Sequence, residues 1–213
     1  ARRLPAVFVT ERGGGRPSDT AYPVVSALDV RSFTLWARLS GVGPRIAVVS
    51  GRCLAGNAVL AGSADLIVAT GNSTMGVAGP AMIAGAGLGD YPAEQIGPVE
   101  VMSRNGVVDV VVADEAEAVA VAKRLLGFFA GPGEPGEAAD QAVLREALPA
   151  RERQAYDVRP IIDTLADTGT VTFLREEFAP ELVTAFARVA GRPVGILANQ
   201  TLHMAGSLTA DGS

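Results

Sequence analysis

Only one cysteine and one histidine occur among 213 residues, and each scarcity excludes something. A single thiol, Cys53, cannot form an internal disulfide, and Cys53 with His203 provides no metal-ligand spacing. Lysine is nearly missing: Lys123 stands alone against seventeen arginines. The chain has no tract of five basic residues and carries a net charge of −5, which argues against general nucleic-acid binding. It also lacks an apolar run of 18 residues and a signal-peptide pattern, so a soluble, cytoplasmic protein without a membrane partner is expected. Aromatic residues make up 5% of the chain, leaving Val, Ala, Leu and Ile to build the core.

What is present suffices for a packed interior, with 48% apolar and 19% charged residues. The most informative stretch runs from Gly51 through Arg52, Cys53, Leu54, Ala55, Gly56 and Asn57 to Asp65, after the apolar run Ile46–Ser50. It reads as a buried strand that turns sharply into a helix opened by glycine. Such a turn leaves N–H groups near Gly56 unpaired, with the positive end of the helix behind them. A second glycine turn, Glu11-Arg-Gly-Gly-Gly-Arg16, follows the apolar run Pro5–Thr10. Two fixed N–H donors would stabilise the oxyanion of a thioester carbonyl, and glycine lets the ester approach the backbone. The donors would be Gly14 or Gly15 from one turn and Gly56, with Ala55 as an alternative, from the other. The same small residues would equally permit close helix-on-sheet packing.

Along the chain, apolar runs and turn signals alternate. Strands are expected at Pro5–Thr10, Arg45–Ser50, Asp65–Thr70, Thr74–Ala78 and Val107–Val112. Helices are expected over Asp29–Leu39, Ala55–Ala64, Gly79–Ile83 and Glu115–Phe129, the last capped by Asp114 with Glu117. The order strand, turn, helix marks an α/β unit. Gly131-Pro-Gly-Glu-Pro-Gly136 is a linker, since two prolines and three glycines continue neither period. Beyond it lie helices over Glu137–Leu148 and Val158–Ala166, then strands at Thr170–Leu174, Leu182–Val189 and Val194–Ala198, with Gly191-Arg-Pro193 as the hairpin turn. The expected organisation is residues 1–130, a linker at 131–154, and residues 155–213. The segments 43–50 and 191–198 both set an Arg/Pro turn before an apolar strand, either as a repeat or as ordinary sheet-entry turns.

Cys53 reads as a small core residue rather than a nucleophile, having no local base. The helix after Gly56 carries no acid; Asp65 and Asp109 border apolar runs and read as strand-end groups. Paired-carboxylate acid–base chemistry is therefore unsupported. Arg12, Arg16 and Arg52 would either meet coenzyme A phosphates or lie on the surface.

These pieces resemble the carboxyltransferase (beta) subunit of biotin-dependent acyl-CoA carboxylases, of the acetyl- and propionyl-CoA carboxylase type. The matching segments are Glu11–Arg16, Gly51–Gly56 with Asp65-Leu66, Met75-Gly-Val-Ala-Gly-Pro80, and Asn105–Asp109 with the following helix. Tyr156–Ile162 and Gly191-Arg-Pro-Val-Gly-Ile-Leu-Ala-Asn-Gln200 look like the opening of the family's second half. The resemblance implies an α/β, crotonase-like β-spiral. It implies carboxyl transfer from carboxybiotin, on a partner carrier domain, to the α-carbon of a short acyl-CoA in fatty acid metabolism. Gly14, Gly15 and Gly56 would form the oxyanion hole, with Arg12, Arg16, Ala55 and Gly79 holding the ester. Implied partners are a biotin carboxylase or biotin carrier subunit and further copies of the chain. No acid–base side chain is needed in such a reaction, because biotin takes the α-proton. Ala55 and Asn57 stand where relatives often have glycine. The chain begins at Ala1 without Met, and a piece of a longer protein is expected, with the biotin oxyanion hole beyond Ser213. A biotin-independent acyl-CoA decarboxylase and a non-catalytic carboxyltransferase-like subunit are the alternatives.

Overall fold

The computed structural model describes residues 4–11, 31–151 and 153–213. They group into two compact units, Ala1–Ala122 and Lys123–Ser213. Unit 1 contains β1 (Ala6–Glu11), α1 (Ser32–Ala37), β2 (Arg45–Ser50), β3 (Arg52–Leu54), α2 (Gly56–Gly62), β4 (Leu66–Thr70) and β5 (Thr74–Gly76). These are followed by α3 (Pro80–Gly85), α4 (Val99–Arg104), β6 (Val110–Val112) and most of α5 (Glu115–Phe129).

The sheet order is β1-β2-β4-β6, parallel at every ladder. Every residue of β2 and β4 is buried, as expected of interior parallel strands covered on both faces. The core joins Ala47 and Val49 of β2, Ile67 and Ala69 of β4, and Ala58 and Ala61 of α2. These alanines let α2 approach the sheet closely, so the small-residue pattern is a packing device as well as a turn signal. Arg45 starts β2 buried, and its guanidinium donates to both oxygens of Asp65 and to the Trp36 carbonyl. Trp36 in turn donates to the Leu60 carbonyl at 2.9 Å, fastening α1 to α2.

Three segments of unit 1 stand out as differing from the sequence reading. Residues 52–54 form β3 rather than part of a turn, because Gly51 (φ 65°) redirects the chain into a parallel ribbon with β5. An unanticipated helix, α4, buries Val99 and Ser103. The last strand starts at Val110 instead of Val107, since Asp109 clamps the neighbouring strand. Its carboxylate accepts from the Ile67 N–H at 2.7 Å, while its own N–H donates to the Ile67 carbonyl.

The last turns of α5 belong to unit 2, with α6 (Arg159–Leu165) and an antiparallel sheet of β7 (Thr172–Leu174), β8 (Leu182–Val189) and β9 (Arg192–Asn199). The cap of α5 forms as expected: Asp114 accepts from the Glu117 N–H, and Glu117 reaches back to the Ala113 N–H. The polar helix expected over Glu137–Leu148 shrinks to a 3₁₀ turn at Gln141–Arg145 with no buried residue. Without an apolar stripe to bury, helical propensity alone does not hold those residues. Val183, Ala185 and Ala187 of β8 face inward, and Phe186 stacks on Phe128 with centroids 5.5 Å apart.

The β8–β9 turn is Ala190-Gly191, one residue earlier than expected, with both φ positive as a two-residue turn requires. The Asp167 carboxylate accepts from the Gly136, Ala190 and Gly191 N–H groups. Arg188 donates to the carbonyls of Gly127, Gly131 and Gly191. The glycine-rich segment after α5 is thus fastened to the hairpin. The similarity of 43–50 to 191–198 is superficial: β2 is an interior parallel strand, whereas β9 is an antiparallel edge strand.

Candidate active site

At the end of β3, Ala55 adopts φ 55° and ψ −129°, a conformation normally left to glycine. Its N–H donates to the Gly76 carbonyl at 2.9 Å, which ties the turn to β5. This corrects the expectation that the Ala55 amide is available as a donor, because it closes the ribbon instead. Gly56 begins α2, and its N–H has no intrahelical acceptor. A Cβ on Gly56 would lie 3.0 Å from the Phe33 ring of α1, so this position is tight as well as bare. Gly79 precedes α3 in extended conformation, and a Cβ there would meet Leu54 at 3.7 Å. Gly56 and Gly79 therefore flank the same residue, Leu54, by sequence and by contact. Arg12, Gly14, Gly15 and Arg16 lie outside the described residues.

Where β1 and β2 end, a cleft of about 720 Å³ opens, lined among others by Glu11, Ser50, Arg52, Leu54, Thr74, Glu94 and Glu115. The carboxyl ends of parallel strands are the usual place for a ligand crevice in such sheets. Gly56 is not among the lining residues, but Leu54 and Pro80 are. The hydroxyl of Ser50 donates to Glu115 at 2.7 Å, and Arg52 pairs with Glu94. Arg52, one of the candidates for coenzyme A phosphates, is thus engaged by a carboxylate. Next to the lining residue Thr74, the buried Ser73 donates to the Val49 carbonyl and meets the Thr70 hydroxyl at 2.9 Å. The buried Thr74 hydroxyl has no hydrogen-bond partner among the described residues.

The glutamates are what sequence reasoning missed. Ser50 and Glu115 are 65 positions apart and Arg52 and Glu94 are 42 apart, so no local spacing announces them. Only the start of α5 just after a parallel strand hinted that Glu115 would sit at the carboxyl edge. The Ser50 hydroxyl holds Glu115 below the usual glutamate range; Glu94 is lowered too, by its own backbone N–H and then by Arg52. Both are ionised at neutral pH and supply no proton there. Asp65 and Asp109 are the structural groups the sequence suggested, and Arg45 holds Asp65 low. Cys53 is fully buried, and desolvation pushes its thiol up, the opposite of an activated nucleophile.

The sequence model of the carboxyl transferase domain matches residues 1–213, and the chain belongs to that family. Its fold is the family's crotonase-like α/β fold, as the solved structures bear out. The chain is 32% identical to the methylmalonyl-CoA carboxyltransferase 12S subunit of Propionibacterium freudenreichii subsp. shermanii, over 98% of this chain and 41% of that protein. It is 31% identical to the biotin-dependent acetyl-/propionyl-coenzyme A carboxylase beta6 subunit of Mycobacterium tuberculosis, over 98% of this chain and 45% of that protein. Among solved structures, a single-chain, multi-domain long-chain acyl-CoA carboxylase superposes with a TM-score of 0.93 at 47% identity, covering 98% of this chain and 21% of that one. The transcarboxylase 12S hexamer, with methylmalonyl-coenzyme A and methylmalonic acid bound, gives 0.85 at 31% identity, covering 99% and 42%. The chain spans less than half the length of the curated relatives it matches. No helix among the described residues is long and apolar enough to cross a membrane.

Proposed function

We propose that the protein containing this chain is the carboxyltransferase component of a biotin-dependent acyl-CoA carboxylase. The observation that carries the reading is the strained Ala55 turn, tied to Gly76, which fixes the Gly56 N–H at the end of β3. A donor held rigidly where charge develops on the thioester oxygen lowers the barrier without reorganising, typically by about 3 kcal/mol. The Gly14/Gly15 turn supplies the second donor, and Arg12 and Arg16 meet the coenzyme A phosphates. Gly79, bare against Leu54, leaves the approach to the ester open.

Carboxybiotin on a partner carrier domain supplies the carboxyl group and, after releasing it, the base for the α-proton. The residues of this chain then have one task, holding the enolate oxygen. The ionised Glu94 and Glu115 fit that division, since neither is a proton donor at neutral pH. Unit 1, residues 1–122, is the acyl-CoA side, and unit 2 carries the start of a second half at 155–213 together with the 131–154 stretch expected as a linker and residues 123–130 expected in the first half. The assembly is a homo-oligomer working in the cytoplasm with a biotin carboxylase or carrier subunit.

Gly56→Val tests the assignment in the complete enzyme, by incorporation of labelled bicarbonate into acyl-CoA. Valine keeps the N–H, so a loss of roughly 100-fold or more in kcat, the scale for one oxyanion donor, is expected because its side chain displaces the donor from the thioester oxygen. Pairing the change with Phe33→Ala gives the new side chain room, so folding and donor effects separate. Intact turnover in a folded Gly56→Val enzyme overturns the placement.

A further inference from the structure

α1 is held more firmly than its burial explains. None of its residues is buried, yet specific contacts fix it in place. The Trp36 indole donates to the Leu60 carbonyl at 2.9 Å, the Arg45 guanidinium donates to the Trp36 carbonyl at 3.3 Å, and the Phe8 and Trp36 rings stand 5.9 Å apart. The Phe33 ring lies 3.0 Å from where a Cβ on Gly56 would be, so Phe33 and Trp36 both turn toward α2. The opposite side of the helix carries Arg31, Thr34, Leu35 and Arg38, at the i, i+3, i+4, i+7 spacing of one helical face. These residues line a cavity of about 470 Å³, in which Leu35 is 55% exposed.

Charge sets this face apart within an acidic chain. The net charge is −5, and Arg45 is neutralised by Asp65 and Arg52 by Glu94. Arg31 and Arg38, by contrast, have no carboxylate partner among the described residues, and the described lining of their cavity holds no acid. The polar cleft is the reverse, with Glu11, Glu94 and Glu115 set against Arg52. An anion is therefore drawn to the α1 face rather than to the cleft.

We infer that this face of α1 binds a phosphate group carried on a small organic molecule. Two guanidiniums match the two charges of a phosphate monoester, and the Thr34 hydroxyl between them adds a donor. The cavity is many times the roughly 30 Å³ that a water molecule takes, so it admits more than a bare ion, and Leu35 offers contact to the attached organic body. With α1 fixed beforehand, binding orders little besides the two arginine side chains. The inference goes beyond the carboxyltransferase reading, because two sources share this chemistry: the 3′-phosphate of a coenzyme A ester and a separate phosphorylated molecule.

Calorimetry on the complete enzyme tests this with adenosine 3′,5′-bisphosphate as the probe and adenosine as the control without phosphate. The wild type is expected to bind the bisphosphate and not adenosine, and added salt weakens that binding by screening the charges. Arg31→Gln and Arg38→Gln each weaken it about fivefold, the upper scale for an exposed ion pair, and the double variant at least about tenfold. Both side chains are exposed, so the fold is kept, and thermal unfolding checks it. Coenzyme A and dephospho-coenzyme A then identify the source. A preference for coenzyme A that the double variant loses makes the ester's own 3′-phosphate the occupant. A preference that stays, with bisphosphate binding lost, assigns a separate molecule. Bisphosphate binding that the double variant leaves intact overturns the inference, as does a wild type that binds bisphosphate no better than adenosine. Binding lost in the double variant of an enzyme that carboxylates no acyl-CoA sustains the α1 site and overturns the proposed function.

Discussion

Ala55→Gly isolates the energy stored in the proposed donor turn. Alanine at φ 55° and ψ −129° sits in a region that costs a side-chain-bearing residue about 1–3 kcal/mol. Glycine adopts it without strain but gives the unfolded chain more freedom, offsetting about 0.4–1 kcal/mol. Taking ~2 kcal/mol of relief against ~0.7 kcal/mol of added entropy leaves a net stabilisation of about 1 kcal/mol. For a chain of this size that raises Tm by roughly 2–4 °C. Urea denaturation should show the midpoint moving up with an unchanged slope, because no surface is gained or lost. The Ala55 N–H still bonds the Gly76 carbonyl in the variant, so the turn keeps its shape. A destabilised Ala55→Gly protein would refute the argument, since it would mean the methyl group contributes more packing than the backbone stores strain.

Gly97→Ala is expected to destabilise unit 1 by at least about 3 kcal/mol, because a Cβ there would sit 1.8 Å from the Met75 carbonyl oxygen at a positive φ. Chemical denaturation measures it. Asp167→Asn should lower Tm and flatten the acid limb of stability. The Gly191 N–H and then its other amide partners hold Asp167 below its ordinary 3.8, so its contribution is present above that value and is lost as the pH falls through the lower, folded value. Comparing denaturation midpoints at neutral and strongly acidic pH reads this directly. Glu115→Gln in the complete enzyme should leave kcat/KM within about threefold, against the 10²–10⁴ expected if Glu115 were a general acid or base. A larger loss, or a shifted limb in the pH–rate profile, would restore acid–base chemistry to the cleft.

Much of the architecture is written in local pattern. The apolar runs Ile46–Val49 of β2 and Leu66–Ala69 of β4, the alternation of β8, and the Asp114/Glu117 start of α5 each carry their own period or cap. The family segments around Gly51–Gly56 and Met75–Pro80 likewise land on a turn with a glycine-like backbone and on the start of α3. What stayed hidden depends on distant partners. β3 reads as a turn because three residues show no period, and it is a strand only by pairing with β5. The 137–148 segment has helical composition, yet nothing buries it. Glu11, Glu94 and Glu115 come to the cleft from three different elements, which no spacing along the chain can reveal. Ala55 was legible as a departure from glycine, but not as the residue whose own amide closes the ribbon.

Cys53 makes the parallel ribbon self-reporting. A sole thiol with no solvent contact reacts with an alkylating reagent only when β3 parts from β5, so labelling kinetics count openings of that region. Ligands that clamp the adjoining turn should slow the labelling in proportion to their occupancy, giving an equilibrium readout that does not depend on turnover.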